Sequence, residues 1–336
     1  MNLIRTSLFN GISVVVKMFT LLGINKILAL YVGPSGYAAL GQLQNALTMI
    51  TTLSSGAVNT GVTKYTAEYI DEPNRQRAVW KTSTTLAAVG SFVVGAAVAI
   101  FSNELSRYFF KTDNYGSVFI WVALSLFFFT FNALLLAIIN GKKDVKTLVM
   151  ANIAGSFLSL LVTGCLTWLF GLYGALVSLG IYQALAFFTT VFLCRKSDWF
   201  RVQYFFGCFD KKIALDLSKY AAMALTTAAC VPVAQILIRN HLINEFGIEF
   251  AGYWEAMWRL SSAYLLLVTT TLGVYYLPRL SELVGYQAIV KEVVEGYKFI
   301  LPVAVVCCLV VYYLRDFVIH VLFSDQFLPM RDLFAF

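Results

Sequence analysis

Four charged side chains lie within long apolar stretches of this sequence. Lys17 and Lys26 stand in the first stretch, and Arg259 stands in a later one with Glu255 four residues before it. A charge at membrane depth costs about 2.5 to 3.5 kcal/mol on insertion scales, so it is expected to face a water-filled cavity or a partner. Because most of these charges are cationic, the sequence predicts a binding site for an anion.

Each of these residues also has a structural alternative. Lys26 has the length to extend its ammonium to the membrane surface, and Glu255 and Arg259 have the spacing of an intrahelical ion pair. Lys17 and Lys26 are nine residues apart, and at about 100° per residue this puts them on opposite faces of a straight helix. Both line one cavity only if the helix bends, for example at Gly23.

Uncharged polar residues mark a second candidate surface. At three- and four-residue steps in one stretch stand Gln44, Thr48, Thr51, Ser55 and Asn59. Helix packing explains many such residues, but a helix that lines a lumen presents one continuous polar face. The predicted substrate-binding residues are Lys17, Lys26, Arg239, Arg259, Gln44, Asn45, Thr48 and Asn59. Glu255 is the candidate for ion coupling, and Arg239 has interfacial anchoring as its alternative role.

The apolar stretches themselves predict an all-α polytopic membrane protein. The chain is 59% hydrophobic and 13% charged, with a mean hydropathy of +0.75, and stretches near 20 residues are long enough to cross a bilayer as helices. The predicted spans are Leu8–Val32, Leu40–Val62, Leu86–Phe101, Val118–Ile139, Leu148–Phe170, Gly174–Cys194, Ala221–Leu242, Phe250–Leu277, Phe299–Leu314 and a last one that begins at Asp332.

Charge and motifs exclude several classes of function. No P-loop, paired catalytic carboxylates or Ser/His/Asp set is recognisable, so an enzyme is not predicted. The six cysteines show no CxxC spacing and there are two histidines, so neither a metal site nor a cofactor is predicted. The net charge of +7 lies in loops rather than on a basic soluble face, which argues against nucleic-acid binding.

Loop charges predict the orientation. With the N-terminus in the cytoplasm, the cytoplasmic loops hold 17 Lys and Arg residues and the opposite loops hold 5. This asymmetry follows the positive-inside rule. The longest polar connection, 195–219, carries several aromatic residues and is predicted to lie on the cytoplasmic membrane surface.

A weak internal repeat predicts the domain organisation. A shift of 211 residues superposes Ser7 on Ser218, Gly36 on Gly247, Gly41 on Gly252 and Tyr65 on Tyr276. It also aligns the first three spans with the seventh to ninth, as in transporters built from two six-span repeats. We expect lobes at 1–194 and 220–336 joined by 195–219, about nine and a half of twelve spans, and roughly seventy further residues in a complete repeat.

Four segments closely resemble Wzx-type flippases of the multidrug/oligosaccharidyl-lipid/polysaccharide exporter superfamily, most strongly the branch for enterobacterial common antigen and O-antigen units. These segments are LYVGPSGYAALGQLQNALTMITTLSSGAVNTGVTKYTAEY (30–69), SKYAAMAL (218–225), VYYLPRLSEL (274–283) and LRDFVIHVLFSDQFLPMRDLFAF (314–336). The resemblance implies a bacterial inner-membrane protein that moves an undecaprenyl-diphosphate-linked oligosaccharide between leaflets by alternating access. It also implies a glycan polymerase and a chain-length regulator as partners.

The resemblance assigns roles to some of the charged residues. Related flippases use cations of the first and eighth spans to hold the diphosphate, and Lys17, Lys26 and Arg259 occupy corresponding positions. Lysine stands in the first span where those relatives carry arginine, so the bidentate contact of arginine is lost there.

Three other functions compete with this interpretation. A multidrug antiporter of the same superfamily needs a deep carboxylate, for which Glu255 qualifies. A glycan polymerase usually carries a large outer loop with catalytic residues, whereas the longest outer loop here is about residues 102–116. A purely structural assembly partner leaves the polar helix face unexplained.

Overall fold

The computed structural model describes residues 3–207, 209–271 and 286–335, and these form helices without a β-strand. The α-helices are α1 Leu3–Tyr31, α2 Gly33–Ser54, α3 Asn59–Glu68, α4 Pro73–Ile100, α5 Ser102–Phe110, α6 Gly116–Gly141, α7 Val145–Cys194, α8 Lys211–Phe246, α9 Ile248–Thr271, α10 Tyr286–Tyr313 and α11 Arg315–Leu322. Short 3-10 segments cover Val202–Tyr204 and Asp325–Ala335. The predicted all-α class is confirmed.

Several of these helices meet the requirements of a membrane span. Within the described residues, five helices are long and apolar enough, namely those at Gly11–Tyr31, Pro73–Ile100, Gly116–Gly141, Val145–Cys194 and Lys211–Phe246. The end of α10 and α11, which meet at 76°, add a sixth if they are counted as one span. Helices α2 and α9 are also long enough to cross a bilayer, at 22 and 24 residues. They are not among these five helices, and they carry the polar and charged residues discussed above.

Glycine interrupts the helical structure at two places, one between predicted spans and one within a predicted span. Gly171 has φ 56 and ψ −133 inside α7, and this turn lets the two halves of α7 run side by side, so that Met150 and Phe188 line one groove. The predicted pair of spans in this region is therefore present. The prediction of one uninterrupted span at Leu40–Val62 is wrong, because Gly56 and Ala57 adopt left-handed φ values of 62 and 54 and separate α2 from α3.

The C-terminal part of the predicted linker 195–219 is helical. Asp210 caps α8 by accepting hydrogen bonds from the amides of Lys212 and Ile213 at 2.9 and 3.3 Å, so 211–219 is helical rather than linker. Before this cap, Trp199 and Phe205 pack on Trp80 of α4, each with ring centroids 5.8 Å apart. These aromatic residues of the linker thus contact α4, and their position on the membrane surface stays a prediction.

Some predictions fall on residues outside the described ranges. These are the end of the eighth span at Leu277, the loop cation Arg279, Cys208, the segment 274–283 and Phe336.

Close packing between α2 and α9 joins the N-terminal helices to the C-terminal ones. An ideal Cβ built on Gly252 would lie 1.8 Å from the carbonyl oxygen of Pro34. A Cβ on Gly41 would lie 2.3 Å from Glu255 Oε2. At Gly252 the two helices therefore touch through backbone, in the way that small residues allow in membrane bundles. At Gly41 the missing side chain leaves room for the carboxylate of Glu255 and the guanidinium of Arg239. This crossing brings the charged part of α9 against the polar part of α2.

We expect Gly252→Ala to destabilise the protein, because its methyl group cannot fit against Pro34. The loss in the free energy of unfolding should be about 1–3 kcal/mol, read as a lower melting temperature in detergent. The matched control is Gly155→Ala in α7, where nothing lies within 4 Å of the added Cβ. The control should be neutral or slightly stabilising. Equal melting temperatures for both variants would contradict the close crossing.

Candidate functional site

Three charged side chains meet where α8 and α9 face α2. Arg239 of α8 donates from Nη2 to Oε2 of Glu255 at 2.5 Å. Arg259 of α9 donates from Nε to Oε1 of the same carboxylate at 2.8 Å. Each carboxylate oxygen therefore has its own guanidinium. We call Arg239, Glu255 and Arg259 the charged triad.

Amide side chains of α2 bind the triad from the opposite side. Gln42 accepts from Nη1 of Arg239 at 3.0 Å and donates to Asn240 Oδ1 at 2.8 Å. Gln44 accepts from Nη2 of Arg259 at 3.1 Å. These bonds link the N-terminal helices to α8 and α9, so the charged triad is part of the contact between the two halves of the chain.

Burial differs strongly within the charged triad. The side chain of Arg239 is 0% exposed and that of Glu255 is 5% exposed, whereas that of Arg259 is 14% exposed. The guanidinium carbon of Arg239 lies 5.3 Å from the ring centroid of Trp254, and that of Arg259 lies 5.5 Å from that of Tyr37. Aromatic faces thus replace part of the water that the two cations lose.

The charged triad carries one more positive than negative charge. Two guanidinium groups share a single carboxylate, and Nε of Arg239 is buried without a hydrogen-bond partner among the described residues. A buried charge without a counter-charge is costly. This excess of positive charge favours the binding of an anion. Arg259 is the least buried member of the triad, so it is the one that an anion can contact.

The predicted polar face of α2 is only partly open. Gln44 and Thr48 are exposed, while Asn45 is buried and Asn59 is half-buried. Nδ2 of Asn45 and Oδ1 of Asn59 are buried atoms without a hydrogen-bond partner in the described part of the chain. The structure therefore brings Gln44 to Arg259, leaves Thr48 one turn further along the same exposed face, and encloses Asn45.

Lys17 is exposed on a different side of α1 from the most exposed apolar residues near it. The exposed apolar residues Val15 and Phe19 lie about 160° around the helix from it, at about 100° per residue. The buried residues Ser13 and Ile24 lie within about 40° of its direction, and so does the exposed Leu21. Because a cation within a span is costly in lipid, we expect Lys17 to line an aqueous space, and its role as a substrate ligand stays a prediction. Among the described residues Lys17 has no hydrogen bond or ion pair.

Lys26 has a different environment. Its ammonium donates to the carbonyl oxygens of His320 at 2.8 Å and Phe323 at 2.5 Å, at the C-terminal end of α11. These carbonyls have no partner within their helix, and the end of a helix attracts a cation. Lys26 therefore binds protein backbone in this conformation, and its role as a substrate ligand stays a prediction.

Sequence reasoning missed three contributors to the site. These are Gln42, Asn240 and Tyr37, which contact the charged triad or one another. None of them lies at the three- and four-residue steps from which the polar face of Gln44 and Thr48 was predicted. Gly41 had been singled out only by the repeat, and the structure shows that it makes room for Glu255 and Arg239. The described residues contain no group of three metal-ligating side chains.

Comparison with known proteins gives a family and a fold. The sequence model of a family described as "Polysaccharide biosynthesis protein" matches residues 27–332. The lipid III flippases of Escherichia coli (strain K12) and Shigella flexneri are each 32% identical over 335 residues, covering 100% of this chain and 80% of each relative. Both relatives are named flippases, which are transporters rather than enzymes. The prediction that this chain is not an enzyme is thereby confirmed.

Solved transporters share the fold. An inward-facing multidrug resistance MATE family transporter of the MOP superfamily matches with a TM-score of 0.72 and 16% identity, over 95% of this chain and 75% of that chain. A MOP superfamily transporter from Pyrococcus furiosus matches with a TM-score of 0.64 and 17% identity, over 99% and 78%. At such identities the likeness concerns the fold alone.

The charge count of the triad predicts an order of stabilities. Arg239→Met leaves Glu255 paired with Arg259, whereas Glu255→Gln leaves two cations without a carboxylate. We therefore expect Glu255→Gln to lower the melting temperature in detergent more than Arg239→Met does, because an uncompensated buried charge costs about 3–5 kcal/mol. The double variant should melt above Glu255→Gln. A larger loss in Arg239→Met would contradict the sharing of one carboxylate.

Thiol labelling checks the direction in which residue 17 faces. In a cysteine-free background, Lys17→Cys should react with a hydrophilic thiol reagent, because it faces water. Phe19→Cys lies on the opposite side of α1 and should react far more slowly, since a thiol in lipid stays protonated. Equal labelling of the two positions would place Lys17 in lipid instead.

Proposed function

We propose that this chain moves a lipid-linked oligosaccharide across the membrane. The chain belongs to the polysaccharide biosynthesis protein family, and it is a Wzx-type flippase of the multidrug/oligosaccharidyl-lipid/polysaccharide exporter superfamily. The single observation that carries the proposal is the cationic excess of the charged triad at the contact between the two halves of the chain. A lipid-linked diphosphate supplies the anion that this excess favours.

The finer substrate is an undecaprenyl-diphosphate-linked repeat unit of enterobacterial common antigen or O-antigen type. The name of the relatives, lipid III flippase, supports this class. We infer transport from the cytoplasmic to the periplasmic leaflet of the bacterial inner membrane, with the N-terminus in the cytoplasm, from the 17 to 5 distribution of loop cations. A glycan polymerase and a chain-length regulator are the proposed partners, since they act on the delivered unit.

Each accessible residue of the site has a role in this path. Arg259 and Lys17 bind the diphosphate, the first through its guanidinium and the second as a point charge. Gln44 and Thr48 are exposed on α2 and offer hydrogen bonds to glycan hydroxyl groups. The polyprenyl tail stays in lipid, because its transfer into a hydrated lumen would expose apolar surface to water.

Rocking of two lobes is the proposed motion. The lobes are residues 1–194 and 220–336, and their contact contains the Gln42 and Gln44 bonds to the arginines. A substrate that binds Arg259 differently in the two arrangements of the lobes can shift their populations.

Multidrug antiport is less well supported. An organic cation needs a carboxylate with free acceptor capacity, and both oxygens of Glu255 already bind guanidinium groups. The net positive charge of the site repels such a substrate. Glu255 remains the candidate for coupling to H⁺ or Na⁺.

Replacement of the lumen cations tests the proposal. In proteoliposomes with a fluorescent undecaprenyl-diphosphate oligosaccharide, Arg259→Ala and Lys17→Ala should each slow flipping by about 10- to 100-fold, the factor for a lost charge-assisted hydrogen bond of about 1.5–3 kcal/mol. Lys196→Ala removes a cation from the exposed linker and should flip at the wild-type rate.

The outcome depends on the comparison between these variants. Equal slowing by Lys196→Ala would point to a general charge effect. Wild-type flipping by both lumen variants, at normal levels of folded protein, would refute the assigned binding site. Transport of an organic cation by the wild type without flipping would favour the antiporter.

A further inference from the structure

Glu255 occupies the place that an anionic ligand of Arg259 would take. Its Oε1 accepts the Nε hydrogen of Arg259 at 2.8 Å, and its Oε2 binds Arg239 at 2.5 Å. A carboxylate and a phosphate present similar oxygen pairs to a guanidinium. The carboxylate is 5% exposed and bound at both oxygens, so the protein holds it there firmly.

A second donor of Arg259 is also engaged. Its Nη2 binds Gln44 Oε1 at 3.1 Å, across the contact between α9 and α2. A diphosphate that binds Arg259 side-on, through Nε and Nη2, must therefore displace Glu255 and Gln44. Among the described residues Nη1 has no hydrogen-bond partner, so an end-on contact through Nη1 and the second hydrogen of Nη2 stays open. The negative charge of Glu255 still weakens the attraction of Arg259 for an anion bound in that way.

Displacement of Glu255 leaves a balanced arrangement behind. The carboxylate can stay with Arg239, whose side chain is 0% exposed, while the diphosphate takes Arg259. In the empty site both arginines share the carboxylate of Glu255. With the diphosphate bound, Arg239 pairs with Glu255 and Arg259 pairs with the diphosphate. Neither arginine is left without an anion at any point, which avoids the cost of an unpaired buried charge.

We propose, on the basis of the function proposed above, that Glu255 is an internal competitor for the substrate diphosphate. It holds Arg259 in place when the site is empty and weakens diphosphate binding, so that the substrate can leave. A transport site must bind well enough to load and weakly enough to release. Glu255 is accordingly a positioning residue that sets affinity, and it does not contact the substrate.

The test measures binding of inorganic diphosphate to the full purified chain in nanodiscs by calorimetry. Glu255→Gln should bind about tenfold more tightly than the wild type, because a competing charge-assisted bond is lost, and it should flip the lipid-linked substrate more slowly. Arg259→Ala should abolish the binding. Glu249→Gln removes the same charge from the exposed first turn of α9 and should leave affinity unchanged.

A second variant separates competition from net charge and from misfolding. Arg239→Met/Glu255→Gln keeps the net charge of the triad and frees Arg259 of its carboxylate, so it should also bind diphosphate more tightly than the wild type. Wild-type binding with unchanged or weaker affinity in both Glu255 variants would overturn the competitor role and leave the proposed function intact. Absence of diphosphate binding in the wild type and in every variant would refute the proposed function itself.

Discussion

The buried carboxylate of Glu255 is the interaction on which the centre of this structure depends. Two arginines lie within hydrogen-bond distance of it, and one of them is fully enclosed. In a low-dielectric bundle a cation of this kind needs a counter-charge. The closeness of α2 and α9 follows from the same need, since Gln42 and Gln44 reach the arginines only because Gly41 leaves room for the carboxylate.

The predicted internal repeat relates the site residues of α2 to those of α9. The shift of 211 residues places Gln44 on Glu255 and Thr48 on Arg259. The same i, i+4 face is therefore polar and neutral in α2 but charged in α9. Gly41 and Gly252 are also equivalent under this shift, and each lies at the crossing of the two helices. The two glycines have different neighbours, since Gly252 meets the backbone of Pro34 and Gly41 meets the side chains of Glu255 and Arg239. The charge of this face is confined to α9.

The sequence predicts the class of fold well because its strongest determinant is hydrophobic length. Spans such as Val118–Ile139 lie within the helices found, here α6. The break after Ser54 was missed, since Ala57 at φ 54 is a conformation that only the surrounding packing enforces. For the site, charge within an apolar stretch drew attention to Arg259 and Glu255, which the structure brings together with Arg239. It could not find the amide partners of the arginines, because Gln42 and Arg239 meet across 197 positions of sequence.

Lys26 shows why depth in a helix does not settle the role of a cation. It shares α1 with Lys17, yet its ammonium binds carbonyls of α11, in the C-terminal part of the chain. Nearby, Ser324 donates to Ala29 at 3.1 Å, and Tyr37 packs on Phe327 with ring centroids 5.1 Å apart. Any separation of α1 from α11 must break these bonds. Hydrogen bonds with a charged donor contribute about 1.5–3 kcal/mol each. When α1 and α11 separate, water takes the place of the carbonyls as the partner of Lys26. The contact between the two helices can therefore be stable when it is closed and can still open.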